Sequence, residues 1–137
     1  MKKGSLLFDP LRRKEVPDTP EERVRQWFIA LLRDSAAVPV GLMMSEWALD
    51  YGEKRYRADI VVFDREARPI AVVECKRPEV KIDAAVIGQA MRYHIVLGVD
   101  FLFLTNGKNT YLYRRGGGTF RPVDHLPSYE EMLQCRR

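Results

Sequence analysis

The sequence is poor in the residues that staple, ligate or span. Its two cysteines, Cys75 and Cys135, lie sixty positions apart with no C-x-x-C, which argues against a disulfide framework or a structural zinc site. The two histidines, His94 and His125, lack metal-ligand spacing, and no H-E-x-x-H pattern occurs. A G-x-S-x-G elbow is absent, so a serine hydrolase finds no support. Gly116-Gly117-Gly118 lacks the lysine and serine of a phosphate-binding loop and reads as a hairpin turn. No G-x-x-x-x-G-K-[ST] occurs, so these residues hold no ATP-driven motor. After Met1-Lys2-Lys3 the apolar stretch Leu6-Leu7-Phe8 stops at Asp9-Pro10, too short for a signal peptide. No apolar run approaches the ~20 residues of a membrane span, and the expectation is a cytoplasmic protein without membrane contact.

What is present describes one globular unit. A chain of 137 residues corresponds to about one domain and can bury roughly two-thirds of its unfolded surface. Hydrophobic residues make up 46% and charged residues 31%, too apolar overall for disorder. The net charge of +4 and pI near 9.2 suit a polyanionic partner without demanding one.

Residues 1–18 carry Pro10, Pro17 and several basic residues without periodicity, and read as an irregular arm ahead of a single domain over 19–137. Thr19-Pro20-Glu21-Glu22 reads as a helix start, with Thr19 as cap, Pro20 in the first turn and Glu22 closing a capping box. Val24, Trp27, Phe28, Leu31 and Leu32 follow at helical spacing, which predicts a helix over 20–34 with one buried stripe. Strands are expected at 42–50, 55–63 and 70–76, a helix at 83–97 closed by Gly98, and an apolar strand at 99–104. Two further strands follow, at 110–114 and near Phe120, and Ser128 with Glu131 offers a second capping box. Trp27, Trp47, Phe101 and Phe103 are expected in the core. This order predicts an α/β domain.

The chemistry concentrates in the hairpin over 55–76. Residues two apart on a strand share a face, so Glu74 and Lys76 point one way and Val73 and Cys75 the other. With the turn at 64–69, Phe63 would pair with Ile70, and the same register sets Asp59 directly across from Glu74. Such opposed carboxylates repel unless a cation lies between them. Hard oxygen donors suit Mg²⁺ or Mn²⁺, with water and phosphate oxygens completing the shell. Lys76, one pleat on, would place a positive charge beside a metal-bound water, a set suited to phosphodiester hydrolysis. The opposed geometry also predicts that Glu74→Gln stabilises the metal-free protein.

These residues resemble a known family. Asp59 followed by Glu74-Cys75-Lys76 resembles the D…E-x-K core of the PD-(D/E)xK nuclease superfamily. Arg57-Ala58-Asp59-Ile60-Val61-Val62, Val73-Glu74-Cys75-Lys76-Arg77-Pro78, Gln89-x-x-x-Tyr93 and Thr105-Asn106-Gly107 resemble the nuclease domain of type I restriction endonuclease R subunits, as does the opening helix from Glu21. Ala58 stands where the superfamily's namesake proline would be. The resemblance implies a restriction-endonuclease-like core, a central mixed β-sheet flanked by helices, acting as a Mg²⁺- or Mn²⁺-dependent DNA endonuclease. It implies metal binding by Asp59, Glu74 and the backbone carbonyl of Cys75, with Glu21 (or Glu22) from the first helix. Lys76 would polarise the attacking water, and Gln89 and Tyr93 would position DNA or support the site. Arg55, Arg77, Lys81 and Arg92 are candidate DNA contacts, with Arg12, Arg13 and Lys14 from the arm. The implied partners are DNA and either a second copy or other restriction-system subunits. The competing reading is a catalytically silent DNA-binding or accessory domain.

Overall fold

The computed structural model describes residues 4–135, apart from the side chains of Leu49 and Tyr51. The chain runs β1 (Leu6–Asp9), β2 (Lys14–Pro17), α1 (Pro20–Asp34), β3 (Met43–Tyr51), β4 (Lys54–Phe63), β5 (Pro69–Cys75), α2 (Ala84–His94), β6 (Phe101–Thr105), β7 (Thr110–Gly116), β8 (Thr119–Pro122) and α3 (Tyr129–Gln134). A six-stranded sheet holds β3 to β8 in chain order, antiparallel except where β5 pairs with β6 in parallel. That one parallel pair needs a crossover, and α2 supplies it. The architecture is the expected mixed α/β sheet with helices on both faces.

Strand alternation divides the core. On β5 and β6, Ala71, Val73, Cys75, Phe101 and Phe103 pack with Phe28 and Leu32 of α1 and Met132 of α3. Val72, Leu102 and Leu104 face the other way, against Ala90 and its neighbours on α2. All five residues of β6 are buried, as a strand covered on both faces requires. The α2 helix ends in a 3-10 turn at Ile95–Leu97, and Gly98 reverses the chain at φ +69, a left-handed conformation glycine adopts without a Cβ clash.

Several expectations need correction. Residues 1–18 do not form an irregular arm throughout: β1 and β2 make an antiparallel hairpin, with Leu6 opposite Pro17 and Asp9 opposite Lys14. Strands of four residues are too short to show a period in the sequence. The buried stripe of α1 is Val24, Phe28, Ile29 and Leu32 together with Arg25, which turns Trp27 outward to 44% exposure. Trp47 is likewise 37% exposed, packed edge-on against Phe63 at 5.7 Å between ring centres. The capping box at Thr19 is half formed. Thr19 Oγ1 accepts from the Glu22 N–H at 3.1 Å, but the Glu22 carboxylate is taken by Arg12 and Gln26. The box at Ser128 and Glu131 is complete in both directions.

The β4–β5 register is the expected one through Ile60↔Val73, Val61↔Val72 and Val62↔Ala71. It then slips at a bulge between Val62 and Phe63, so that Phe63 faces Pro69 and not Ile70. The bulge absorbs the turn, in which the buried Asp64 carboxylate accepts the N–H groups of Glu66 and Arg68. At the far end the paired ladder stops at Ile60 and Val73, one step short of Asp59 and Glu74.

Candidate active site

Beyond the last rung, the Asp59 side chain takes over the role of the backbone: its Oδ2 accepts the Cys75 N–H at 2.7 Å. That bond holds the end of β5 against β4 and fixes the Asp59 carboxylate at the rim of a cavity of about 600 Å³. Glu74 and Lys76 line the same cavity. Glu74 is on the α2 side of β5, where the pleat that carries Val72 directs it, and there it meets His94. A carboxylate can only accept, so His94 Nε2–H donates to Glu74 Oε1 at 2.6 Å. The Lys76 Nζ lies 3.7 Å from Glu74 Oε2. The cavity thus joins two carboxylates from neighbouring strands and one ammonium.

Their electrostatics differ. Burial pushes the Asp59 carboxyl up; the Cys75 N–H and the Arg25 charge oppose this, Glu21 and Glu74 reinforce it, and the net is a raised pKa. Burial also pushes Glu74 up, but the hydrogen bond and field of His94 and the Lys76 ammonium outweigh it and hold the group below its ordinary value. Burial and the nearby Asp59 charge push the Cys75 thiol well above its ordinary value, so the side chain packs as an apolar group.

The remaining sequence candidates divide clearly. Glu21 lines the cavity; Glu22 is buried and ion-paired to Arg12 at 2.7 Å, away from it. The helix therefore turns Glu21 to the site and Glu22 to the hairpin. Gln89 and Tyr93 both line the cavity. Tyr93 Oη accepts the Arg57 N–H at 2.9 Å, and its ring packs edge-on against Tyr56 and His94. It joins α2 to β4 two residues from Asp59. Among the cationic candidates, Arg55 pairs with Asp50 and Arg77 with Glu79, both on the surface. Lys81, Arg92, Arg13 and Lys14 are exposed. Arg12 is not available to a partner: it is engaged by Asp9, Glu22 and Glu46. Thr105-Asn106-Gly107 builds a turn: Asn106 Oδ1 accepts from Lys108 and Asn109, and its Nδ2 donates to the Val80 carbonyl at 2.8 Å. Gly107 allows α1 to approach, since a Cβ there would stand 3.3 Å from Val24 Cγ2 at φ +86.

Three residues escaped the sequence reading. His94 is fully buried beneath Glu74, and its position directly after Tyr93 on the sheet-facing side of α2 was the available signal. Arg25 is buried at the cavity floor and faces Glu22, Glu46 and Asp59. Glu46 lines the cavity from β3 in a left-handed conformation, φ 51. A non-glycine residue there is uncommon, and the polar pair Ser45-Glu46 between Met44 and Trp47 was its one trace.

The donor set suits a hard divalent cation. Two carboxylates face one partly buried cavity, and a third, Glu21, is near enough to raise Asp59. Among the described residues no group of three or more Asp, Glu, His or Cys side chains stands arranged to hold a metal ion.

Residues 20–127 match the family described as the type I restriction enzyme R protein N terminus. The chain belongs to that family. Among solved structures, a fragment described as the HsdR subunit of a type I restriction enzyme from Vibrio vulnificus superposes with a TM-score of 0.62 at 19% identity. The match covers 85% of this chain but 25% of that one, so the chain spans a quarter of the HsdR fragment's length. A protein from Anabaena variabilis, described as a nuclease of the DUF820 group, superposes with a TM-score of 0.55 at 14% identity, covering 89% of this chain and 79% of that one. At these identities the likeness is one of fold. No curated protein matches the chain. Among the described residues no helix is long and apolar enough to cross a membrane.

Proposed function

We propose that this R-protein N-terminal domain is a divalent-metal-dependent nuclease that hydrolyses DNA phosphodiester bonds. The observation that carries the reading is the convergence of Asp59, Glu74 and Lys76 on one cavity, with the Asp59 carboxyl raised by burial and by its acidic neighbours. Like charges gathered in this way are costly to a merely structural surface and are relieved by a cation.

Asp59 and Glu74 would hold Mg²⁺ or Mn²⁺, helped by the Cys75 carbonyl and Glu21. When bound, the ion supplies an activated water and stabilises charge on the phosphate and the leaving oxygen. The chain's own residues set up the rest. The Cys75 N–H fixes Asp59, and His94 fixes Glu74. Lys76 presents its ammonium where a phosphate oxygen or the attacking water would lie, and Gln89 faces the same space. Arg57, which lines the cavity, and exposed Lys81 and Arg92, each next in sequence to a lining residue, offer contacts to the DNA backbone, which would make binding fall with added salt. The natural partners of such a domain are DNA and other subunits of a restriction system, in the cytoplasm.

The test is nicking of supercoiled plasmid with Mg²⁺ or Mn²⁺. The wild type should cut, Asp59→Ala should not, and Lys76→Met should lose about 10²- to 10³-fold in rate, the worth of one charge-stabilising group. Salt-sensitive DNA binding with no metal-dependent cutting, unaffected by either substitution, would instead establish a silent binding or accessory domain.

A further inference from the structure

Arg25 is 4% exposed, and its guanidinium is poorly matched by its surroundings. Nη2 lies 3.3 Å from Glu46 Oε1 and 3.8 Å from Asp59 Oδ1, and Nε lies 3.5 Å from Glu22 Oε2. Nε and Nη1 are buried with no hydrogen-bond partner among the described residues. A buried arginine normally satisfies its fork with close bidentate carboxylate bonds. Glu22 is shared and stands too far to satisfy the fork: its Oε1 accepts from Arg12 at 2.7 Å and its Oε2 from Gln26 at 3.0 Å, and Arg25 Nε stays 3.5 Å from Oε2. Glu46 comes nearest, from a backbone conformation uncommon for its type, and it is shared with Arg12 at 3.5 Å. The charge of Arg25 therefore spreads over three acids, one of which is a candidate metal ligand.

We infer that Arg25 is the internal counter-ion of the cation site: it neutralises Asp59 while the site is empty, competes with the divalent ion for that carboxylate, and is drawn toward Glu46 when the ion binds. Arg25 and Glu46 are positioning residues that set cation affinity through each other. Glu46 is the acceptor that receives the guanidinium, and Arg12, fixed in the β1–β2 hairpin by Asp9, keeps Glu46 in place. The N-terminal hairpin thus reaches the site through a chain of alternating charges. This inference rests on the metal-dependent reading above.

The test is calorimetric titration of Mn²⁺ into the 137-residue chain, with melting temperature recorded with EDTA and with Mn²⁺. Arg25→Gln should tighten Mn²⁺ binding about tenfold, as expected when a partly screened cation is removed from beside a ligand carboxylate. It should also enlarge the rise in Tm that Mn²⁺ produces. Arg25→Lys, which keeps the charge, should stay within about twofold of wild type by the same argument. Glu46→Gln should weaken binding by leaving the guanidinium to Asp59. In the Arg25→Gln background the same change should have little effect, the coupling a double-mutant cycle isolates. Wild-type and Arg25→Gln affinities that coincide, or a Glu46→Gln effect of equal size in both backgrounds, would overturn the inference while leaving the metal site standing. Absence of Mn²⁺ uptake by wild type and variants alike would overturn the metal-dependent reading itself.

Discussion

Neutralising either central carboxylate should change stability in opposite directions. The simplest view of two opposed acids is that removing one charge always stabilises the metal-free protein. The structure reverses that for Glu74. Its carboxylate accepts a 2.6 Å hydrogen bond from buried His94 and lies 3.7 Å from the Lys76 ammonium, and its pKa is lowered despite burial. The folded state therefore favours the ionised form. That contribution is present above the unfolded pKa and is lost as pH falls through the folded one. Glu74→Gln exchanges a charge-assisted bond for a neutral one and should cost about 1–2 kcal/mol at neutral pH. For a chain of this size that is a fall in Tm of about 3–8 °C. Asp59 runs the other way. Burial first, then Glu21 and Glu74, raise its pKa, so its favourable contribution lies below the unfolded pKa and is lost as pH rises through the folded one. Asp59→Asn keeps an oxygen to accept the Cys75 N–H and should raise Tm by about 1–4 °C at neutral pH, the effect of relieving roughly half a kcal/mol. Thermal denaturation in EDTA, at neutral pH and again near pH 4, measures both. The Glu74→Gln deficit should shrink in acid. A Tm for Glu74→Gln above wild type at neutral pH would refute the reasoning.

Two further outcomes are expected. Tyr93→Phe removes the acceptor of the Arg57 N–H and should cost about 1 kcal/mol, with faster hydrogen exchange at that amide; an unchanged exchange rate would show that the bond does not hold α2 to β4. Phe103→Ala, fully buried between sheet and α1, should cost about 3–5 kcal/mol in urea unfolding, and a cost near zero would contradict the packing of β6.

The parts of this domain written in local chemistry could be read without coordinates. Helix α1 announces itself by Thr19, Pro20 and its apolar spacing, and β6 by an unbroken apolar run. Glu74 and Lys76 line one cavity, as residues two apart along an extended segment are expected to. What escaped depends on distant partners. The β1–β2 hairpin is held to α1 and β3 by Arg12, itself fixed by Asp9, through contacts to Glu22 and Glu46 that no short window contains. Arg25 enters the buried stripe of α1 because Glu46 and Asp59 lie across from it, and that displaces Trp27 to the surface. The bulge at Phe63 shifts the turn without disturbing the central register, so Asp59 and Glu74 share a cavity even though the ladder ends one residue before them.

The central claim is that Asp59 and Glu74 share one divalent ion. Crystals grown with millimolar Mn²⁺, measured for anomalous scattering at the manganese edge, test it directly. A single strong peak between the two carboxylates, absent from Asp59→Asn crystals, is the predicted result. No peak in that cavity, or one that persists after the substitution, would contradict it.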